Sequence, residues 1–253
     1  MPEGDTLFNT ALMLRPALVG ASLTAVSVRA RGMYRLRVGD VVGSVEAVGK
    51  FLEIVVERGL ALRTHLHMTG VWHLYEHGER WRRPRHLARV VLETDAHVAV
   101  CFAAPTVEIG PADDDRLAHL GPDLCRSDVD LDAVLARVAD AAPATQIAEV
   151  LLDQRLAAGI GNVYKNEVLW ACEVSPFRPL AEIDTPTLRR LYETAAQQLQ
   201  ANLGRWRRQT HPDGLAVYDR AGQGCRRCRA RIRTVEHGDI GRRTWWCPAC
   251  QPR

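Results

Sequence analysis

The chain has 253 residues, 47% of them hydrophobic, and a formal net charge of +3. That is enough for one large domain or two smaller ones with real cores. No apolar run reaches the length of a membrane span, and no basic segment followed by an apolar stretch opens the chain. Both observations point away from a membrane or secreted protein and toward the cytoplasm.

The first residues read Met1-Pro2-Glu3-Gly4-Asp5-Thr6. The small Pro2 favours removal of Met1, which would leave a free secondary amine beside the Glu3 carboxylate. An amine nucleophile next to a general acid can attack a sugar carbon and form an iminium. A generic α-amino group has a pKa of about 8 and lysine about 10.4, so near neutrality the terminus is deprotonated on the order of a hundredfold more often. Proline's amine is more basic than the generic one, so part of that advantage must come from its site. A secondary amine also gives a permanently cationic iminium, an electron sink for elimination.

Asp5 or Thr6 is placed to cap a helix running to about Val19, with Leu7, Ala11, Leu14 and Leu18 on one face and Gly20 as its stop. Pro16 weakens the expectation for its last turn. From Ser22 to about Ile109 short alternating runs dominate, such as 23–28, 51–56 and 88–93, broken by Gly, Asp and charged turns. This pattern predicts a β-sandwich or barrel. Asp113-Asp114-Asp115 and Gly121-Pro122-Asp123 read as a boundary. Cys101, Cys125 and Cys172 lie in apolar surroundings and read as small core residues.

After about Asp128 the apolar positions recur at helical spacing: Val134 and Val138; Ile147, Val150 and Leu151; Val168 and Leu169; Leu188, Leu191 and Leu199. Between two of these helices, Ala158-Gly159-Ile160-Gly161-Asn162 forms a tight turn into a helix N-terminus, where exposed N–H groups favour a phosphate. Taken alone, the turn reads better as an ordinary helix–turn–helix. Lysine is scarce: only Lys50 and Lys165 occur, against 31 arginines. A retained lysine supplies a compact point charge that can lose its proton, which arginine cannot. For Lys165 chance retention is the simpler reading.

Charge is unevenly distributed. From Arg205 to Arg253 there are twelve arginines and four acidic residues, a local charge of +8. A polyanion partner and a solvated basic face both fit. The same region holds Cys225-x2-Cys228 and, eighteen residues on, Cys247-x2-Cys250. Two such knuckles supply four thiolates for a tetrahedral, closed structural Zn²⁺ site, one ion per chain. The intervening Arg229 to Trp246 predicts a β-hairpin, whose arm Gly241-Arg242-Arg243-Thr244-Trp245-Trp246 interleaves cations with aromatics; that suits nucleic-acid backbone contact, and a ribbon that only caps the domain or binds protein also fits.

Five separated features, spanning nearly the whole chain, resemble the formamidopyrimidine-DNA glycosylase/endonuclease VIII family. They are the Pro2-Glu3 start, the strand segment Gly49-Lys50, the loop His65-Leu66-His67-Met68-Thr69-Gly70, the turn Gly159-Ile160-Gly161-Asn162, and the four-cysteine ribbon with Arg242 five residues before Cys247. The resemblance implies an α+β architecture: an N-terminal β-sandwich with a leading helix (1–125), a helix–two-turns–helix domain (126–215) and a zinc ribbon (216–253). It also implies a monomeric bacterial enzyme that acts on damaged double-stranded DNA, associating with the nucleoid when bound to it.

The same resemblance implies roles. Pro2 would be the Schiff-base nucleophile at C1′, and Glu3 would shuttle protons during ring opening and base departure. Lys50 would reach the reacting sugar and its phosphate. Asn162, helped by the turn's N–H groups, would hold a backbone phosphate, and Arg242 would grip a phosphate beside the lesion. Base removal followed by β,δ-elimination would leave a gap with phosphates at both ends. A flipped base leaves a void; Met68 would fill it and His67 would contact the orphaned base, although a lone Met is also a usual core residue. His119 aligns with a DNA-contacting arginine of the endonuclease VIII branch, and a structural histidine reads as well there.

Two departures bear on substrate. Phe102-Ala103-Ala104-Pro105-Thr106-Val107 stands where the purine-excising branch carries Arg-Arg-Phe, which favours the endonuclease VIII branch and oxidised pyrimidines. Thr6 stands where many members have a glutamate, so proton handling differs or another carboxylate substitutes. A DNA-binding damage sensor without catalysis, or a zinc-ribbon protein binding RNA or protein, are the alternatives.

Overall fold

The structure is a computed structural model that describes residues 2–30, 32–238 and 241–252. Met1, whose removal the head chemistry requires, lies outside the described residues. The chain divides into two compact units, one made of 1–2 and 6–119, the other of 3–5 and 120–253.

The first unit is a β-sandwich with a leading helix. Helix α1 (Gly4–Leu18) continues through Pro16. Its Leu7, Ala11, Leu14 and Leu18, at helical spacing, are all buried. One sheet has the order β1 (Ala25–Val28), β6 (Ala88–Glu93), β7 (His97–Phe102), β5 (Val71–Glu76). The other has the order β2 (Val42–Val48), β3 (Phe51–Val56), β4 (Leu60–His65), β8 (Thr106–Pro111). All the strand pairs are antiparallel.

Strict alternation in β3 buries Leu52, Ile54 and Val56 and leaves their neighbours half-buried. Each such side chain contributes about 1.5–3 kcal/mol. These residues join Val42 and Val45 of β2, Val90 and Leu92 of β6, and the buried face of α1 in one core. Gly49-Lys50 is the two-residue loop between Val48 and Phe51, which pair directly, rather than part of a strand. Gly49 adopts φ +58°, which glycine tolerates without steric cost. The acidic stretch expected at the boundary is partly structural. Arg63, only 3% exposed, donates to Glu53 and to Asp114.

The second unit is helical and ends in a β-ribbon. Its helices are α2 (Leu131–Ala139), α3 (Ile147–Val150), α4 (Asn162–Ala171) and α5 (Thr185–Gln200). Asp130 caps α2 by accepting from Ala133 N, and Asp184 caps α5 by accepting from Thr187 N. Every apolar position read from helical spacing in this region is buried. Helix α4 differs, because Asn162 through Trp170 are buried on all sides. The helix is therefore the centre of the unit rather than an amphipathic cover. Strands β9 (Arg233–His237) and β10 (Arg242–Trp246) form the expected hairpin, whose tip at 239–240 lies outside the described residues.

Cys101, Cys125 and Cys172 are buried and unbridged, and burial pushes their thiols upward in pKa. Among the described residues no helix is long and apolar enough to cross a membrane. Leu191 on α5 is fully buried. Replacing it with alanine is expected to cost about 2–5 kcal/mol, read as a lower urea midpoint at unchanged slope.

Candidate functional site

The chain head is fixed by its second and fourth residues after the initiator. Glu3 is completely buried. Its Oε2 accepts from Gly161 N at 2.9 Å and from Tyr164 N at 3.3 Å, and its Oε1 accepts from Val163 N at 2.7 Å. A carboxylate thus sits on the N-terminal amides of α4, where the free N–H groups and the helix dipole favour negative charge. The N–H groups that the sequence offered to a phosphate are in large part taken by Glu3. Gly161 is needed here for space: a Cβ would lie 2.4 Å from Glu3 Cδ. Gly4 N donates to Gly159 O at 3.0 Å, and a Cβ on Gly4 would lie 2.8 Å from Gly159 Cα. Pro2 itself is half-buried.

Asp5 is 4% exposed and carries a second anchor. It accepts from Arg208 Nε at 2.8 Å, Arg208 Nη2 at 2.5 Å and Tyr164 Oη at 2.8 Å. The guanidinium also stacks 4.9 Å from the centre of the Tyr164 ring. Burial, reinforced by Asp5, pushes the Tyr164 hydroxyl well above its usual pKa. Thr6 brings no charge, and the ionisable group beside Glu3 at the head is Asp5.

Helix α4 also fastens the arm that carries Arg242. Asn162 Nδ2 donates to Arg243 O at 2.9 Å, Lys165 Nζ donates to Thr244 Oγ1 at 2.7 Å, and Asn166 Oδ1 accepts from Trp245 N at 2.8 Å. Three side chains on one face of α4 therefore hold three successive residues of β10. Asn162 is 4% exposed and its Oδ1 has no partner among the described residues. Trp170 Nε1 lies 3.2 Å from Cys225 Sγ, which links α4 to the cysteine cluster.

The four ribbon sulfurs, from Cys225, Cys228, Cys247 and Cys250, lie within 4.8 Å of one another. Two of the separations are 3.9 Å (Cys225–Cys250) and 3.4 Å (Cys228–Cys247). A tetrahedral ion with bonds of about 2.3 Å to sulfur sets its ligands about 3.8 Å apart. The cluster fits a metal.

The remaining candidates lie on the sandwich. His65 pairs with Phe51 across β3 and β4, next to Lys50. Burial, with help from His67 and Lys50, lowers the His65 pKa to about 4. His67, at φ +47°, places Nε2 3.0 Å from Thr106 Oγ1, while Thr69 Oγ1 donates to Ala103 O at 3.0 Å. These bonds tie the 65–70 loop to the 103–106 turn. Met68 is 64% exposed between them, so it is not a core residue. His119 is exposed in a turn.

A formamidopyrimidine-DNA glycosylase N-terminal domain model matches residues 1–106, and a formamidopyrimidine-DNA glycosylase H2TH domain model matches 120–211. A "probable endonuclease 8 2" of Streptomyces coelicolor is 39% identical over 99% of this chain and 94% of its own length. The chain belongs to the formamidopyrimidine-DNA glycosylase family. A Mycolicibacterium smegmatis relative named DNA-(apurinic or apyrimidinic site) lyase Nei2 is 38% identical over 99% of both chains. The fold matches Lactococcus lactis formamidopyrimidine-DNA glycosylase bound to DNA containing an abasic site, with a TM-score of 0.83 and 21% identity over 99% of this chain and all of that one.

Sequence reading missed the Asp5–Arg208 pair, because Arg208 lies in a cationic run where nothing marks one arginine from the next. Breaking a buried pair of this kind costs about 3–5 kcal/mol. Gly161→Ala is expected to displace Glu3 and to destabilise the protein by about 1–3 kcal/mol. Denaturant unfolding checks this, and an unchanged midpoint would show that the head tolerates the extra methyl group.

Proposed function

We propose that the chain is a bifunctional DNA glycosylase/AP lyase of base excision repair, with Pro2 as nucleophile and oxidised pyrimidines as its preferred substrates. The observation that carries this reading is the seating of Glu3 on the first amides of α4, which fixes the residue covalently next to Pro2. A buried carboxylate with fixed donors holds one position while the amine beside it reacts.

Once Met1 is removed, the Pro2 nitrogen attacks C1′ of an everted nucleotide. Glu3 handles the protons that accompany ring opening and departure of the base. Loss of a C2′ proton from the resulting iminium expels the 3′ phosphate, and a second elimination expels the 5′ phosphate. Lys50, on its rigid hairpin loop, assists at the sugar and phosphate. Arg242, on a strand held by α4, grips a phosphate. Asn162 holds a backbone phosphate and, through the Arg243 carbonyl, braces the strand that carries Arg242.

Met68 is the wedge and His67 the contact to the orphaned base, supported by their exposure and by the bonds that brace their loop. The 103–106 turn offers no arginine or phenylalanine to fill the void, which supports oxidised pyrimidines over purines. His119 adds an exposed DNA contact. The cluster Cys225, Cys228, Cys247 and Cys250 holds one structural Zn²⁺, whose four protein ligands leave no open position for catalysis.

Borohydride trapping tests the chemistry. With Met1 removed, the protein is expected to form a covalent adduct on a duplex containing an abasic site or thymine glycol, and Pro2→Gly to lose it. An adduct that maps to a side chain rather than to the N-terminal amine would remove Pro2 from the mechanism. No adduct from correctly processed protein that still binds the duplex would mark a damage sensor. Removing the metal with a chelator under reducing conditions is expected to unfold the ribbon and weaken DNA binding. Loss of near-ultraviolet signal from Trp245 and Trp246, together with release of one equivalent of zinc, would show it.

A further inference from the structure

Lys165 has no part in the chemistry above, yet it is one of two lysines in the chain and is 1% exposed. An ammonium has three donors. Among the described residues one of them donates to Thr244 Oγ1 at 2.7 Å. The lysine borders a cavity of about 190 Å³ whose wall also includes Arg242, Thr244, His237, Glu149 and Asp153. Thr244 Oγ1 in turn lies 3.3 Å from His237 Nδ1, and His237 Nε2 meets Gln146 Oε1. Burial, with Lys165 as a further cause, lowers the His237 pKa. A chain of contacts thus runs from Lys165 to Thr244 to His237 to Gln146.

The charges facing Lys165 come from several elements. Arg242 on β10 repels it, whereas Glu3 at the chain head and Glu149 on α3 attract it. Asp153, after α3, also lines the cavity but is already paired with Arg155 at 2.6 Å. Burial is the largest influence, followed by Arg242, and together they bring the lysine's pKa down to about 7. The cation that opposes protonation of Lys165 is thus the one read as a phosphate ligand.

We propose that Lys165 is a positioning residue that couples proton uptake to the docking of a DNA phosphate on Arg242. A phosphate at Arg242 cancels the charge that repels the ammonium, so Lys165 gains a proton as the complex forms. The protonated lysine then adds its field to the site and tightens its hold on Thr244, two residues along β10 from Arg242. By linkage, a group that takes up a proton on binding makes affinity rise as pH falls. Starting from about 7 in the free protein, a rise of one unit in the complex gives roughly fivefold tighter binding at pH 6 than at pH 8.

This inference rests on the proposed phosphate role of Arg242. The chain's two lysines make the test direct. Protein labelled with ¹³C at lysine Cε should show two signals, and Lys165→Met assigns them. Titration of the holoprotein, free and bound to a duplex with a stable abasic analogue, is expected to move the Lys165 midpoint upward by about one unit. Lys165→Met should lose the corresponding part of the pH dependence of binding, and Arg242→Ala should abolish the shift while leaving Lys165 easier to protonate in the free protein. Duplex binding with an unchanged Lys165 midpoint overturns this inference alone. A lysine that stays fully charged through pH 9 in the free protein also overturns it. Absence of any duplex binding sinks the repair function and this inference together.

Discussion

The structure depends on one carboxylate meeting one helix end. Glu3 accepts hydrogen bonds from Gly161, Val163 and Tyr164 at the start of α4, and is completely buried in doing so. Burying a carboxylate is costly unless donors replace its water, and the first turn of a helix is a place where backbone donors are left over. The arrangement satisfies both sides. It also ties the flexible head of a polypeptide, usually poorly ordered, to the centre of the second unit. Gly161 is the condition for it, since any side chain there would occupy the space of the Glu3 carboxyl group.

Helix α4 carries this constraint outward. Its N-terminus receives Glu3, its Tyr164 hydroxyl meets Asp5, its Asn162, Lys165 and Asn166 hold β10, and its Trp170 reaches Cys225. The chain head, the cationic arm and the cysteine cluster are therefore referenced to a single rigid element. Sites supported in this way keep their geometry better than sites built on loops alone. Asp5 and Arg208 add a buried pair to the same helix. Thr6 is uncharged, and the Asp5 carboxylate at the head is held against the Arg208 cation.

On the sandwich, a similar economy governs the exposed loops. Leu66 is buried, Gly70 N donates to Leu66 O at 2.8 Å, and His67 and Thr69 bond to the 103–106 turn. Met68 is left at the surface because its neighbours on both sides are held. The wedge role proposed for Met68 would draw on this bracing, since an ordered side chain has less freedom to lose on entering a duplex.

Much of this was legible in the amino-acid order alone. Alternation in 51–56, helical spacing of Leu188, Leu191 and Leu199, and the paired cysteines each follow from a local period or a ligand spacing, and each is seen in the fold. Local sequence also marked Pro2-Glu3 and Gly159-Ile160-Gly161-Asn162 as unusual, but treated them as two features, one of them offering its amides to a phosphate. Only the tertiary structure brought residue 3 to residues 161–164 and filled those amides with a carboxylate. Likewise Lys165 reads as a lysine retained by chance until packing buries it in the wall that Arg242 also lines, and Arg208 reads as one of a run until it meets Asp5. The physical reason is the same in each case. Periodicity and spacing report a residue's relation to its near neighbours in the chain, whereas burial, charge pairing and hydrogen-bond satisfaction depend on groups that sequence separation leaves unspecified.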